Sequence, residues 1–275
     1  MRQLLKFISI GIFVLLIASS CIHKTYIQSN VSVPFFEDEN EVQVTGMVTT
    51  EKINVSSAYA FNERNFVFVN GFWRFNDRSQ YSGFQEALLT EAGFGHYKYF
   101  NKNYLELQYG IGYALNKANM TRESRWLAWH EKKIKYTANY GRVFRQLFYG
   151  TKLNSGKFGV GLRSSFIYYP VYDYDIYTEY YENGETDILA DYEFRKNDFF
   201  GIVLDPFLHL EIGKKLSFIL NAGYSLDFFN KIVNYSSQID SQYDLDGRYL
   251  INSNNLHPRF NRVFIDLGIK YVFGR

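Results

Sequence analysis

Residues 262–275 read RVFIDLGIKYVFGR, and their hydrophobicity alternates at every second position. The apolar face holds Val263, Ile265, Leu267, Ile269, Tyr271 and Phe273. The opposite face includes Arg262, Asp266 and Lys270. A period of two is typical of a β-strand, and about 9–11 such residues cross a bilayer with lipid-facing and lumen-facing side chains alternating. We therefore predict that this stretch is the closing strand of a transmembrane β-barrel.

The composition of the whole chain agrees with this prediction. The 275 residues include 24 Tyr and 26 Phe, an excess that suits the aromatic girdles of a barrel at two membrane interfaces. Only four prolines are present, which suits long paired strands. The mean hydropathy of −0.25 excludes a helical membrane protein. The net charge of +2 argues against nucleic acid as a partner.

Nine further stretches alternate in the same way, and with 262–275 they make ten strands. They lie at 41–49, 53–61, 67–75, 84–98, 105–115, 134–149, 158–168, 200–210 and 216–226. The stretch 84–98 is less regular because Glu91 and Lys98 fall on opposite parities, which predicts a bulge or an extension beyond the membrane.

The connections between these stretches alternate in length. Those near 62–65, 100–103, 151–156 and 212–215 are tight, and those near 76–83, 117–132, 172–197 and 230–260 are longer. Short periplasmic turns and long outward loops are typical of outer-membrane barrels, whereas a soluble β-sandwich gives no reason for this asymmetry. We predict an all-β fold, a ten-stranded antiparallel up-and-down transmembrane β-barrel, over residues 41–275.

The N-terminal stretch 1–20 has the features of a cleaved secretion signal. Arg2 and Lys6 form a basic region, and an apolar run from Phe7 to Ile17 follows. The next residues, Leu16 to Cys21, read LIASSC and resemble the lipobox of a bacterial lipoprotein signal. The resemblance implies that Cys21, the only cysteine, carries a covalent lipid such as palmitate; an ordinary signal beside a chance cysteine is the alternative.

Residues 21–40 then form a lipid-anchored linker. Ile22 to Thr25 contains no acidic residue, unlike the surface-export signals of Bacteroidota lipoproteins, which implies that the anchor stays in the periplasmic leaflet. The segment from Val31 to Asn40 contains Pro34 and the pair Phe35-Phe36, and it either enters the lumen or lies under the barrel.

Three strand patterns carry a more specific resemblance. They are YGRVFRQ at 140–146, GVGLRSS at 159–165 and AYAF at 58–61. These patterns resemble uncharacterised outer-membrane β-barrel lipoproteins of Bacteroidota. The resemblance implies this fold and location, and no agreed activity.

Charged residues of both signs fall on the faces predicted to point inward. The candidate lumen network comprises Glu106, Arg163, Asp205, His209, Glu211, Asp227, Arg262, Asp266 and Lys270, joined by Glu41, Glu91, Arg74, Lys135 and Arg145. Small barrels have interiors that side chains just fill, and unpaired buried charge is costly. We therefore predict a packed network of ion pairs, with a narrow ion path as the alternative.

Asp205, His209 and Glu211 share one strand face, so they could bind a metal or perform acid–base chemistry. Packing in the lumen is the favoured interpretation, because no spacing matches an outer-membrane protease or phospholipase. We predict no catalytic residues, no metal site and no cofactor beyond the lipid on Cys21.

The predicted loop at 172–196 is rich in tyrosine and acidic residues. Tyrosine is favoured at interfaces, so the candidate partner residues are Tyr172, Tyr174, Tyr177, Tyr180 and Tyr181. A solvated surface and a Ca²⁺ site are the alternatives.

The function expected from these features is non-enzymatic. The protein would lie in the bacterial outer membrane, contact its lipids, and act as an accessory subunit of a larger outer-membrane complex for protein assembly, secretion or nutrient import. The alternatives are a stand-alone structural or adhesive barrel that binds through its long loops, and a narrow channel.

Overall fold

The computed structural model describes residues 31–48, 52–74, 82–124, 129–182, 185–229 and 263–273. Its elements are the strands β1 (Val42–Val48), β2 (Lys52–Ala60), β3 (Asn65–Arg74), β4 (Ser82–Phe100), β5 (Asn103–Ser124), β6 (Trp129–Leu153), β7 (Gly156–Glu182), β8 (Glu185–Gly213), β9 (Leu216–Tyr224), β10 (Leu226–Phe229) and β11 (Val263–Phe273). Within these ranges, no helix has the length and apolar character needed to span a bilayer.

The strands form one closed antiparallel sheet. Each strand from β1 to β8 pairs with its neighbour in the chain, and β11 closes the ring against β1, with Val42 opposite Phe273. Strands β9 and β10 are two parts of one strand, because both pair with β8 in the same register. Pro206 lies at the break and has no amide hydrogen to donate, which interrupts the ladder there. The predicted ten-stranded antiparallel barrel is confirmed.

The two faces of the sheet differ in the way the sequence predicts. In β11, Leu267 and Ile269 are exposed on the outside, whereas Asp266 and Lys270 are buried in the lumen. The same alternation gives the other strands an outer surface of large apolar side chains. A continuous apolar belt of this kind is unlike the surface of a soluble monomer, and it suits lipid. The fold is that of an outer-membrane-type β-barrel.

The connections at one end of the barrel, here called the tight-turn end, are short. They are Phe61–Arg64, Asn101–Lys102, Asn154–Ser155 and Lys214–Lys215. Gly213 has φ of +131°, and Asn101 has φ of +59°, so these turns use residues that tolerate positive φ. The opposite end, here called the hairpin end, carries the tips of β5–β6 and β7–β8.

Two of the predicted long loops are instead continuations of the strands. The expected loop at 117–132 is occupied by β5 up to Ser124 and by β6 from Trp129. The expected loop at 172–196 belongs to β7 and β8, which leave only residues 183–184 between them. The candidate partner tyrosines therefore lie on β7 rather than in a loop, because its pairing with β8 continues to Glu182 opposite Glu185. Tyr172 is buried against Tyr169, so its predicted place on a partner surface is wrong.

The predicted faces of β6 are reversed in the structure. Tyr136 and Tyr140 are buried in the lumen, whereas Lys135 and Arg145, expected inside, are exposed. Each face of β6 carries one arginine, and the inward face is the one that places Arg142 beside the buried carboxylate of Glu91, at 3.1 Å.

The irregular parity of β4 arises from strand length and not from a bulge. Its pairing with β3 and β5 runs without a shift, with Glu91 buried and Lys98 exposed near the tight-turn end.

Several predictions lie outside the described residues. They concern the signal at 1–20, Cys21 and Arg262, together with the side chains of Asp227, Tyr174, Tyr177, Tyr180 and Tyr181.

Candidate functional site

The most informative feature of the lumen is a segment that does not belong to the sheet. Residues 31–36, here called the strap, are all buried inside the barrel. Phe36 lies against Phe66 near the tight-turn end, whereas Val31 lies near Asn221 and thus towards the hairpin end. From Val31 to Phe36 the chain therefore runs through the lumen and leaves it at the tight-turn end, which decides between the two positions left open for this segment.

A compact turn at residues 37–40 connects the strap to β1. The backbone amides of Glu37 and Asp38 donate to Oε2 of Glu41 at 3.2 and 3.3 Å. Asn40 adopts φ of +60°, and its amide donates to the carbonyl of Ala60 at 2.7 Å. The buried carboxylate of Glu41 thus fixes the point where the chain leaves the lumen and turns back into β1.

Side chains of the barrel hold the strap by its carbonyl groups. The donors are Asn221 to Val31 O at 2.8 Å, Gln108 and Gln146 to Ser32 O at 2.9 and 3.0 Å, Lys270 to Pro34 O at 2.9 Å, and Lys157 to Phe35 O at 3.2 Å. Tyr99 donates to the carbonyl of Phe36. A buried carbonyl needs a partner, and here donors from strands around the ring supply it.

The two phenylalanines of the strap fill aromatic pockets. The ring of Phe35 stacks on Tyr104 at 4.2 Å between centroids, and Nζ of Lys157 lies 4.8 Å from the centroid of Phe35. Phe36 packs on Phe66 at 5.2 Å and on Tyr97 at 5.6 Å. Buried aromatic pairs at these distances add to the stabilisation from apolar area, so the rings anchor the strap.

One charge cluster lies beside the strap. Glu211 pairs with Lys270, and its other oxygen lies 3.4 Å from Nζ of Lys157. Lys157 also lies 3.5 Å from Glu37, at the start of the turn. Both lysines therefore neutralise buried carboxylates while donating to the strap, so the ion pairs and the strap support one another.

A second cluster is centred on Glu91. Arg142 and Arg163 approach its two oxygens at 3.1 and 3.4 Å, and Asn70 donates to it at 3.1 Å. Arg163 also donates to Gln146 at 3.0 Å, which orients the amide that holds Ser32. This network connects the strap to β3, β4, β6 and β7.

The remaining predicted lumen residues are buried but do not form one site. Asp205 accepts a hydrogen bond from Ser225, and Nδ1 of His209 lies 2.7 Å from the Asn221 oxygen. Asp266 pairs with Lys52 at 2.6 Å. Glu106 accepts hydrogen bonds from Tyr104 and Gln108 at 2.7 and 2.6 Å. Glu106 and His209 are connected to the strap through Gln108 and Asn221, whereas Asp205 and Asp266 have packing contacts of their own.

His209 Nε2 lies 3.7 Å from Glu211, but Asp205 contacts Ser225 and Glu211 pairs with Lys270, so the three residues do not form one centre. Among the residues that the structure describes, no group of His, Cys, Asp and Glu could hold a metal ion.

Several residues that hold the strap or its network are absent from the predicted lumen network, including Asn70, Tyr99 and Gln108. Gln146 and Arg142 lie on the face of β6 that was assigned to lipid, and their polarity at one parity was the available signal. Lys157 precedes the predicted seventh strand, and Asn221 was assigned inward but given no role. Nothing in the strap itself indicates that its carbonyls are the groups being bound.

No protein-family model and no curated protein matches the chain. Among solved structures, the chain is similar to the translocator domain of autotransporter NalP from Neisseria meningitidis. The two are 10% identical over 84% of this chain and 86% of that one, with a TM-score of 0.34. Because that score is low, the assignment of the fold rests on the strand pairing and the apolar exterior of this chain.

Proposed function

We propose that the protein is a lipid-anchored barrel of the bacterial outer membrane and a non-enzymatic accessory subunit of a larger outer-membrane complex. That complex would serve protein assembly, secretion or nutrient import. The lipobox-like stretch before Cys21 supports the anchor, and the apolar exterior supports the location.

The length of the β7–β8 hairpin is the observation that carries the docking role. A tilted strand needs about 9–11 residues to cross a bilayer, whereas β7 has 27 and β8 has 29. At about 3.3 Å per residue, the part of β7 from Tyr172 to Glu182 extends a further 35 Å, approximately, along the strand. A paired ribbon of this length, rich in tyrosine, offers a preformed surface for a protein partner.

The filled lumen supports a structural role in preference to a narrow channel. Over the described part of the barrel, the strap and the two charge clusters occupy the interior. The enzymatic alternative gains no support, because the polar contacts of Glu106, His209 and Glu211 are with side chains that hold the strap or with one another.

A pull-down from the native outer membrane in mild detergent, followed by mass spectrometry, tests this proposal. The matched variant removes residues 172–196 and joins Val171 to Asn197 through Asn-Gly. Those two residues are already a register pair, so a two-residue hairpin turn fits. We expect stoichiometric large partners with the intact chain and their loss with the variant.

The other outcomes assign different roles. An intact barrel without partners would contradict the subunit proposal and favour a stand-alone structural or adhesive barrel. Partners that remain bound to the shortened variant would show that docking uses another surface. Heat-modifiable mobility on gels, which reports a folded barrel, is the control for both forms.

A further inference from the structure

The strap is held in the lumen like a bound ligand. The barrel closes through its own ladders, β1 with β11 and β9 with β8, without any strand pairing to residues 31–36. Only the turn at 37–40 connects the strap to the sheet, and Asp38, Glu39 and Asn40 are exposed. The lumen and the strap are therefore two complementary surfaces that meet through side-chain donors and aromatic rings.

We propose that the lumen is a binding site for an extended polypeptide, and that residues 31–36 are its intramolecular occupant. The ligand class is a segment of about six residues that ends in two consecutive aromatic residues. A segment with this chemistry, supplied from outside the chain, binds in the same place when the strap is released.

Recognition in this site is directed mainly at the backbone. The hydrogen bonds from Asn221, Gln108, Gln146, Lys270, Lys157 and Tyr99 all end on carbonyl oxygens, which every polypeptide has. Among the strap's side chains, Ser32 forms a hydrogen bond, at 3.2 Å to Ser56. These hydrogen bonds therefore do not depend on the side chains of the ligand, whereas Val31, Val33 and the two phenylalanines pack in a buried apolar cluster.

The aromatic pockets set the register. Phe35 adopts φ of +56°, a conformation that costs a non-glycine residue about 1–2 kcal/mol, and its stacking on Tyr104 holds it there. Shifting the ligand by one residue would move both rings out of their pockets and misplace the carbonyls. The pair Phe35-Phe36 therefore provides selectivity, whereas the amide and ammonium donors provide general affinity.

The test uses the full mature chain with Cys21→Ser, which prevents lipidation, and a protease site inserted between Asp38 and Glu39. Cleavage of the folded barrel in detergent converts the strap into a non-covalent peptide. Mild urea then releases it, and fluorescent VSVPFFED, the sequence of residues 31–38, is titrated by anisotropy after dilution. We expect saturable binding of one peptide per barrel, and displacement by the unlabelled peptide.

Peptide variants separate the contribution of the two aromatic rings from that of the backbone hydrogen bonds. The peptide with Phe35→Ala and Phe36→Ala should bind at least about 100-fold more weakly, because truncating a buried phenyl ring costs several kcal/mol. The Ser32→Ala peptide keeps every carbonyl and should bind within about tenfold of the parent.

Variants of the barrel test the side chains that donate hydrogen bonds to the strap. Gln108→Ala with Gln146→Ala removes both donors to Ser32 and should weaken binding at least about tenfold. Lys117→Gln, at an exposed position, should leave it unchanged.

Two results would overturn the proposal. If urea removes the strap only when the barrel unfolds, as judged by gel mobility, the strap is part of the core. If the released barrel binds no peptide, or binds the double-alanine peptide equally well, the lumen is not a polypeptide site. Neither result bears on docking through the β7–β8 hairpin, which the pull-down tests separately.

Discussion

Nζ of Lys270 on β11 donates a hydrogen bond to the carbonyl oxygen of Pro34, 2.9 Å away and 236 positions earlier in the chain. The same ammonium pairs with Glu211 on β8, and both side chains are fully buried. One lysine therefore joins the strap, the closing strand and β8 in a single buried contact.

Replacing Lys270 with methionine should destabilise the barrel strongly. The change removes the closer of the two ammonium groups beside Glu211 and leaves Lys157 at 3.4 Å, and breaking a buried ion pair costs up to about 3–5 kcal/mol. Urea unfolding in lipid vesicles, followed by tryptophan fluorescence, measures the effect. Lys117→Gln is the control, since Lys117 forms an exposed pair with Glu86 at 3.4 Å, and such pairs contribute about 0–1 kcal/mol. Equal unfolding midpoints for the two variants would contradict the role of Lys270.

Gly95→Ala should destabilise the tight-turn end of the lumen. A Cβ atom at this position would lie 2.5 Å from Cε1 of Phe66 and closer still to Cζ, and overpacking of this kind costs about 1–3 kcal/mol. Phe66→Leu should restore part of the loss by making room. The control is Gly141→Ala, where an added Cβ meets nothing within 4 Å. If Gly95→Ala leaves the free energy of unfolding unchanged, the side chains around Phe66 can move to accommodate the added methyl group.

An arginine on the lipid-facing surface should be costly in a depth-dependent way. Ile111 lies within β5 and is 65% exposed, so Ile111→Arg should cost about 2–4 kcal/mol if the surrounding solvent is hydrocarbon. Leu153, the last residue of β6 and 52% exposed, lies at the tight-turn end, where the same change should cost about 0–1 kcal/mol. Folding efficiency into vesicles provides the measurement. Equal tolerance of both substitutions would argue against a membrane around this surface.

Cys21→Ala should abolish incorporation of an alkyne-tagged fatty acid while the barrel stays in the membrane fraction after carbonate extraction. Each buried CH₂ of a lipid adds roughly 0.8 kcal/mol of membrane affinity, but the apolar belt of the strands is sufficient for retention. Labelling that persists in the variant would show that the fatty acid is attached to a residue other than Cys21.

The fold could be predicted from sequence wherever one strand face is charged and the other apolar. In β8, the parity of Asp205, His209 and Glu211 set the register of the whole strand, because a one-residue slip would move charges into lipid. The inward face of β6 could not be predicted in this way, because tyrosines and aliphatic residues occupy both of its faces. Charge did not separate the two faces, because Arg142 lies on one and Arg145 on the other.

The ends of the strands and the strap were harder to predict, for different reasons. Polar, acidic residues such as Asp173 and Glu193 favour a loop by composition, yet they continue the ladder of β7 with β8 because pairing there does not require an apolar face. The strap is bound through its carbonyls, which are the same in every sequence. Hydrophobic pattern therefore could not reveal whether residues 31–36 lie in the lumen or beneath it.

The contact between Lys270 and Pro34 also sets an order of events during biogenesis. Pro34 is synthesised long before Lys270, so this hydrogen bond cannot form until β11 is present. Until synthesis has passed residue 270, Glu211 lacks its closest cation and the strap lacks one of its donors. A product that ends before β11 would therefore lack both the ladder that closes the ring against β1 and this donor to the strap.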